Sequence, residues 1–206
     1  MKRRRHFKNA LQSALFERVQ PNEFSDQYAH AREGLAIFTD GTCEPNPGVG
    51  GWAFVVYLHG KEIARDMGGD ADTTNNKMEL TSVLRALEWI SGNAIGNPVA
   101  VWSDSRYAVD GATKWCHSWQ RRGWTRKGDG ALANLDLWKS ITSELTRNPL
   151  TSIAWCKGHS GIAGNVRADE LADLGRAPYA AASSTLVGNS GNALDREYAA
   201  IMGGRL

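Results

Sequence analysis

Two apolar, strand-like runs and a third strand-capable one, joined by turns, then an alternation of strand-like and helix-like runs, set the architecture available to this 206-residue chain. Leu35 to Asp40 is the first run, and Glu44-Pro45-Asn46-Pro47-Gly48 with Gly50-Gly51 forms the turn after it. Trp52 to Leu58 is the second, rich in aromatics and valines, and Lys61 to Met67 is the third. The His59-Gly60 link between them marks a hairpin. From about Asn75 to Ser91 the rhythm becomes helical: Leu80, Val83, Leu84 and Leu87 follow the i, i+3, i+4, i+7 spacing of a core-facing stripe. Thr73 and Thr74 supply capping hydroxyls at its start, and Gly92 closes it. Val99 to Ser103 reads as a strand, Tyr107 to Trp119 and Leu132 to Leu145 as helices, Thr151 to Lys157 as the last strand and Asn165 to Leu174 as the last helix. The order β-β-β-α-β-α-α-β-α predicts an α/β fold with a mixed sheet flanked by helices.

This length suits one domain with tails. Residues 1–34 carry seven Lys/Arg against four Asp/Glu, a net of +3 that leaves −1 for the rest of a chain whose total is +2. They read as a basic arm: Lys2-Arg3-Arg4-Arg5, a helix-capable stretch from Ala10 to Val19, then Pro21-Asn22. A transit peptide has the same composition, and a solvated tail is the plain alternative. Residues 35–175 form the expected core domain. Residues 176–206, dominated by Ala, Ser, Gly and Asn, read as a linker-like tail with room for a short helix over Asp195 to Met202. The longest apolar run, Trp52 to Leu58, is far too short to span a bilayer. No apolar stretch follows the basic N-terminus, which argues against a secretory signal. Cys43, Cys116 and Cys156 lack metal-finger spacing and point to a reducing compartment.

Four carboxylates carry the functional signal: Asp40, Glu79, Asp104 and Asp169, at intervals of 39, 25 and 65 residues. Asp40 and Asp104 end apolar strands, where α/β sheets collect their sites. Glu79 stands a few residues into the helix beginning near Asn75, and Asp169 in the first turn of the last helix, where the dipole tolerates negative charge. Singly, an Asp before Gly is often a turn residue, and an acid near a helix start is often a dipole choice. Together, without counter-charge, the four would repel and at least one would stay protonated. Around hard divalent cations they would form an oxygen-ligand site for phosphoryl chemistry.

Thr39-Asp40-Gly41-Thr42-Cys43 with Asn46-Pro47-Gly48 resembles the opening motif of type 1 ribonuclease H. The likeness extends to Thr74-Asn75-Asn76-Lys77-Met78-Glu79-Leu80, Ser103-Asp104-Ser105, Trp155-Cys156-Lys157-Gly158-His159-Ser160-Gly161, Asn165, and Ala168-Asp169-Glu170-Leu171-Ala172. It runs from about Leu35 to Gly175 and covers neither tail. The resemblance implies a five-stranded mixed sheet and Mg²⁺-dependent hydrolysis of the RNA strand of RNA–DNA hybrids, giving 5′-phosphate and 3′-hydroxyl ends. It implies two ions, with Mn²⁺ as a substitute. Asp40 would be shared between them, Asp169 would help hold the ion that activates water, and Glu79 and Asp104 the other. His159, in a Gly-flanked loop, would move protons or assist product release.

Lys114 to Lys127 holds five Lys/Arg, no acid, and Trp115, Trp119 and Trp124. Such a segment suits phosphate contact and packing against sugars or bases, and it resembles the basic protrusion of bacterial members of the family. The resemblance places Trp115 in the DNA-strand channel, and Arg121 and Arg122 of the basic segment are expected to bind substrate phosphates. Cys43, Asn46, Asn75, Asn76 and Asn165 match substrate-contacting positions, and an amide can read both a 2′-hydroxyl and a base edge. Thr74 and Asn134 match holders of a DNA-strand phosphate. Asp72 stands where many members have arginine, and Arg106 where many have glutamine. Two rivals remain in view: another phosphoryl transferase on this fold, and a hybrid-binding module without catalysis. The asparagines and the Lys-Gly-His loop argue against the first, and the complete carboxylate set against the second. The expected setting is a cytoplasmic monomer acting on RNA–DNA hybrid away from membranes, with an organelle-directing arm as the alternative.

Overall fold

The computed structural model describes residues 34–125 and 131–202, with side chains through Ala182. The arm expected over residues 1–34 lies outside the described residues except for Gly34, as do Arg126 and Lys127 of the basic segment. Five strands, β1 (Leu35–Cys43), β2 (Gly48–Leu58), β3 (Lys61–Thr73), β4 (Val99–Ser103) and β5 (Thr151–Trp155), form one sheet in the order β3-β2-β1-β4-β5. β1–β2 and β2–β3 pair antiparallel, while β1–β4 and β4–β5 pair parallel. The sheet is therefore mixed, as the element order requires.

The helices are α1 (Asn75–Asn93), α2 (Arg106–Asp110), α3 (Cys116–Arg121), α4 (Leu135–Arg147) and α5 (Ala163–Met202), with a π-turn over Gly111–Trp115 joining α2 to α3. Alternation along β1 divides the core in two. Leu35 and Ile37 pack with Leu80, Leu84 and Leu87 of α1 and with Trp138 and Ile141 of α4. Ala36 and Phe38 pack on the opposite side with Ala168, Leu171 and Ala172 of α5. The result is three layers with the sheet in the middle.

Several boundaries differ from those the sequence predicts, for identifiable reasons. α1 runs past Gly92 to Asn93, since the Ala94 N–H still donates to the Ile90 carbonyl. The segment from Arg106 to Arg121 is interrupted by the π-turn, where Gly111 meets the Trp138 ring so closely that a Cβ would collide with it. α4 starts at Leu135 rather than Leu132, because Asn134 adopts a left-handed conformation (φ 57°) that a helix cannot include. α5 starts at Ala163, which puts Asp169 in its second turn, not its first.

The largest difference lies beyond Gly175. The expected linker-like tail instead continues α5 through Pro178 to Met202. Gly175 rests on the backbone of Gly68, and Gly69 meets both the Gly175 carbonyl and the Tyr179 ring. This packing on β3, with alanines at 177, 180, 181 and 182 favouring helix, carries the backbone past the proline.

Candidate active site

Strand register brings two of the four carboxylates together. Thr39 of β1 pairs with Ser103 of β4 across a parallel ladder, so Asp40 and Asp104 follow side by side on adjacent chains. Parallel neighbours lie about 4.8 Å apart. Gly41 explains how a third carboxylate arrives. A Cβ at this position would sit 2.3 Å from the Glu79 backbone nitrogen, so only glycine lets α1 approach β1 this closely. Gly41 lies within strand β1, not in a turn. Asp40, Glu79 and Asp104 each offer a carboxylate oxygen within 4.8 Å of the others. Asp169 of α5 stands outside that trio, close enough for its charge to act on Asp40 and Glu79.

Burial and mutual repulsion dominate the electrostatics. Burial, then the Asp104 charge, pushes the Asp40 carboxyl up to about 8, opposed by the Gly41 N–H that donates to its Oδ1 at 2.8 Å. Burial also raises Glu79 well above the ordinary range, with Asp40 and Asp104 adding to it and a hydrogen bond from the Asn75 side chain opposing. Glu79 Oε2 is buried with no hydrogen-bond partner among the described residues. Burial raises Asp169 while the neighbouring His159 lowers it.

A buried oxygen without a partner among the described residues, in an all-oxygen donor set of negative charge, fits a hard divalent cation. The nearby sulfur is a poor ligand: the Cys156 thiol, pushed up to about 12 chiefly by burial, stays protonated and donates to Asn165 Oδ1 at 3.2 Å.

The loop before α5 closes the site. A Cβ on Gly158 would lie 2.3 Å from Asp104 Oδ2, so the backbone of the Lys157-Gly158-His159 stretch runs directly against this carboxylate. His159 and Gly161 both take positive φ (49° and 78°). Asn165 is placed differently from the surface amides. It is only 2% exposed, donates Nδ2 to Asp104 Oδ2 at 3.3 Å and accepts from Cys156, so its amide is engaged inside the protein. Its contact is with a carboxylate and not with an open surface.

The other expected substrate residues divide into two groups. At the start of α1, Thr74 caps the helix by accepting from the Lys77 N–H at 3.3 Å, and Asn46 Oδ1 accepts from the Asn75 N–H at 3.1 Å. Cys43 donates to the Pro45 carbonyl at 3.3 Å, and Asn76 is exposed on the first turn. Asp72 stands exposed beside them, its N–H donating to Asp70 Oδ1, while Lys77 pairs with Asp70 at 3.1 Å. In the second group, Trp115 is 37% exposed and packs against Tyr107 and Trp119. Asn134 Nδ2 donates to the Tyr107 hydroxyl at 3.4 Å. Arg122 bonds Ser118, and Arg121 is exposed. Arg106 stacks on the Trp155 ring with its guanidinium carbon 3.7 Å from the ring centre, and the Trp155 Nε1–H donates to the Asp104 carbonyl at 2.9 Å.

Asp173 is a participant that the motifs do not include. It lies four residues after Asp169 on α5, and its charge raises both Asp40 and Asp169. The i, i+4 spacing is the sequence signal that marks it.

Residues 32–177 match the RNase H family model. The ribonuclease H of Maricaulis maris is 44% identical over 145 residues, covering 69% of this chain and 93% of that protein. The ribonuclease H of Hahella chejuensis is 42% identical over 141 residues, covering 68% and 92%. Among solved structures, LC9-RNase H1, described as a type 1 RNase H with the type 2 active-site motif, superimposes with a TM-score of 0.63 at 32% identity, over 71% of this chain and 74% of that one. The shared sheet, the carboxylates gathered on and beside its interior strands β1 and β4, and these matches lead to one assignment: the chain belongs to the ribonuclease H family of endoribonucleases.

Proposed function

We propose that this chain hydrolyses the RNA strand of RNA–DNA hybrids at the Asp40–Glu79–Asp104–Asp169 site, leaving 5′-phosphate and 3′-hydroxyl ends. The observation that carries this reading is the convergence of three carboxylates within 4.8 Å, one of them holding a buried, unpartnered oxygen. Mg²⁺ suits such a donor set, with Mn²⁺ as a substitute. Asp40 is suited to being shared between two ions, Glu79 and Asp104 to holding one and Asp169 the other. Two bound cations would offset the carboxylate repulsion, activate water and stabilise the leaving oxygen of an in-line displacement.

The chain's own residues do the rest. Asn165 fixes the orientation of Asp104 through its amide. His159, beside Asp169, takes or returns a proton during turnover. Asn46, Asn75 and Asn76, with Cys43, face the hybrid's minor groove, where a 2′-hydroxyl distinguishes RNA from DNA. Thr74 and Asn134 hold a DNA-strand phosphate. Asp72 weakens that grip by like-charge repulsion. Trp115 packs against the DNA strand, while Arg106, Arg121 and Arg122 attract phosphates. Among the described residues, no helix is long and apolar enough to cross a membrane. The working state is a monomer in the cytoplasm, with the basic arm over residues 1–34 adding affinity for nucleic acid.

The test is cleavage of a labelled hybrid, an RNA duplex and single-stranded RNA, each with and without Mg²⁺. Hybrid-selective, metal-dependent cutting is expected. Equal cutting of all three, or cutting that survives chelation, would overturn the reading.

A further inference from the structure

Arg176 lies on α5, seven residues after Asp169, or about 10 Å along the helix axis. Its position is tightly defined. A Cβ on Gly51 of β2 would stand 2.6 Å from the Arg176 backbone nitrogen and 2.9 Å from its Cβ, so the helix meets the sheet at this residue. The side chain is 24% exposed, and its Nε is buried, faces Asp173 Oδ1 at 3.6 Å and makes no hydrogen bond among the described residues. The guanidinium reaches the turn between β1 and β2, where one terminal nitrogen donates to the Glu44 carbonyl at 3.2 Å. The other lies 3.9 Å from the Glu44 carboxylate, which is 81% exposed and adds little.

That turn is tied at three further points. The Glu44 N–H donates to the Val49 carbonyl at 3.0 Å, Cys43 donates to the Pro45 carbonyl, and Asn46 Oδ1 accepts from the Asn75 N–H. Arg176 is thus one end of a chain of contacts that passes from α5 through Glu44 and Asn46 to the first residue of α1. Asp169 sits on the helix at one end of this chain and Glu79 on the helix at the other.

We infer that Arg176 is a positioning residue: its guanidinium holds the β1–β2 turn so that Asn46 stays against Asn75, and it thereby sets the grip on the hybrid relative to the cutting site. This rests on the ribonuclease reading given above. A planar guanidinium engages the carbonyl while its Nε stays against Asp173, whereas a lysine ammonium offers a single point of contact.

The test uses the full chain with Arg176→Ala and Arg176→Lys, measuring hybrid cleavage kinetics and amide hydrogen exchange at Asn75. Arg176→Ala should raise KM about tenfold with kcat held to within about twofold, the scale of one lost charge-assisted hydrogen bond. The Asn75 amide should exchange faster, and Arg176→Lys should fall between alanine and the parent in both readouts. An unchanged KM, a fall confined to kcat, or unchanged exchange at Asn75 would overturn the inference. A parent protein that does not cut hybrid would overturn the ribonuclease reading instead, and Asn75 exchange would then decide the brace by itself.

Discussion

In the carboxylate cleft, Asp40 and Glu79 are buried, repel their neighbours and leave an oxygen without a partner among the described residues. On the ridge from Arg106 to Trp124, charges stand in water above rings that already pack on one another: Trp115 on Tyr107 and Trp119, and Trp119 on Trp138 at 5.5 Å. The carboxylate cluster is therefore a place where a bound cation would relieve repulsion. The ridge is already packed and contributes exposed charge. Energies in the cleft are local and weakly screened, whereas those on the ridge fall with ionic strength. Under the proposed function, chemistry and attraction would fall to regions that respond to different variables.

The largest effect should come from Asp40→Asn. Cleavage should drop by at least about a thousandfold, since a charge facing the metal site is lost, while hybrid binding on the ridge persists. Rates and anisotropy titrations measured together check this. A variant that cuts near the parent rate would remove the distinction between the two regions.

The cleft also predicts an inverted pH response for the metal-free chain. Asp40 is raised from 3.8 to about 8 in the folded state, so its contribution to stability is full below the ordinary carboxylate range and is lost as pH rises toward 8. The slope is about 1.4 kcal/mol per pH unit for each such proton. Melting temperature under chelation should fall between pH 4 and 8, and Mg²⁺ or Asp40→Asn should flatten the fall. A melting temperature that rises over this window would contradict the buried repulsion.

Asn165→Ala should lower kcat about tenfold with a smaller change in KM, because it frees Asp104 without touching the ridge. His159→Ala should slow turnover by about a hundredfold or less and leave it measurable. Neutralising Arg121 and Arg122 should lower the slope of log affinity against log salt by about 2, with kcat at saturation kept. Trp115→Ala should have the smallest effect, a KM rise of severalfold corresponding to about 1 kcal/mol of stacking. If either ridge change altered Mg²⁺ dependence, the separation of the two regions would fail.

Part of the carboxylate site is legible in the amino-acid sequence because strand ends and helix starts are readable from hydrophobic rhythm: Asp104 follows the end of β4 and Glu79 lies near the start of α1, whereas Asp40 lies inside β1, which runs on to Cys43. The mixed sheet follows from the same rhythm, with Thr39 and Ser103 falling level as parallel neighbours. What stays hidden depends on contacts between distant residues. The π-turn at Gly111 exists because Trp138 approaches it, and no local pattern announces that. Asn165 matches a substrate-binding motif, but Cys156 and Asp104 enclose it. The stretch after Gly175 has the composition of a linker, and its contact with Gly68 and Gly69 keeps it helical. Asp173 matters because α5 brings it near Asp169 and Arg176, a fact of helix phase and tertiary placement together.

The glycines where α5 meets β2 and β3 have a mechanical consequence. A methyl group on Gly51 would stand 2.1 Å from the Ala172 carbonyl oxygen, and one on Gly175 would stand 2.5 Å from the Gly68 carbonyl oxygen. The nearest atoms at both points are backbone, which cannot move aside as the end of a flexible side chain can. α5 is therefore held against the sheet between Ala172 and Arg176, so a single added carbon at either glycine would push against the helix within about two turns of Asp169.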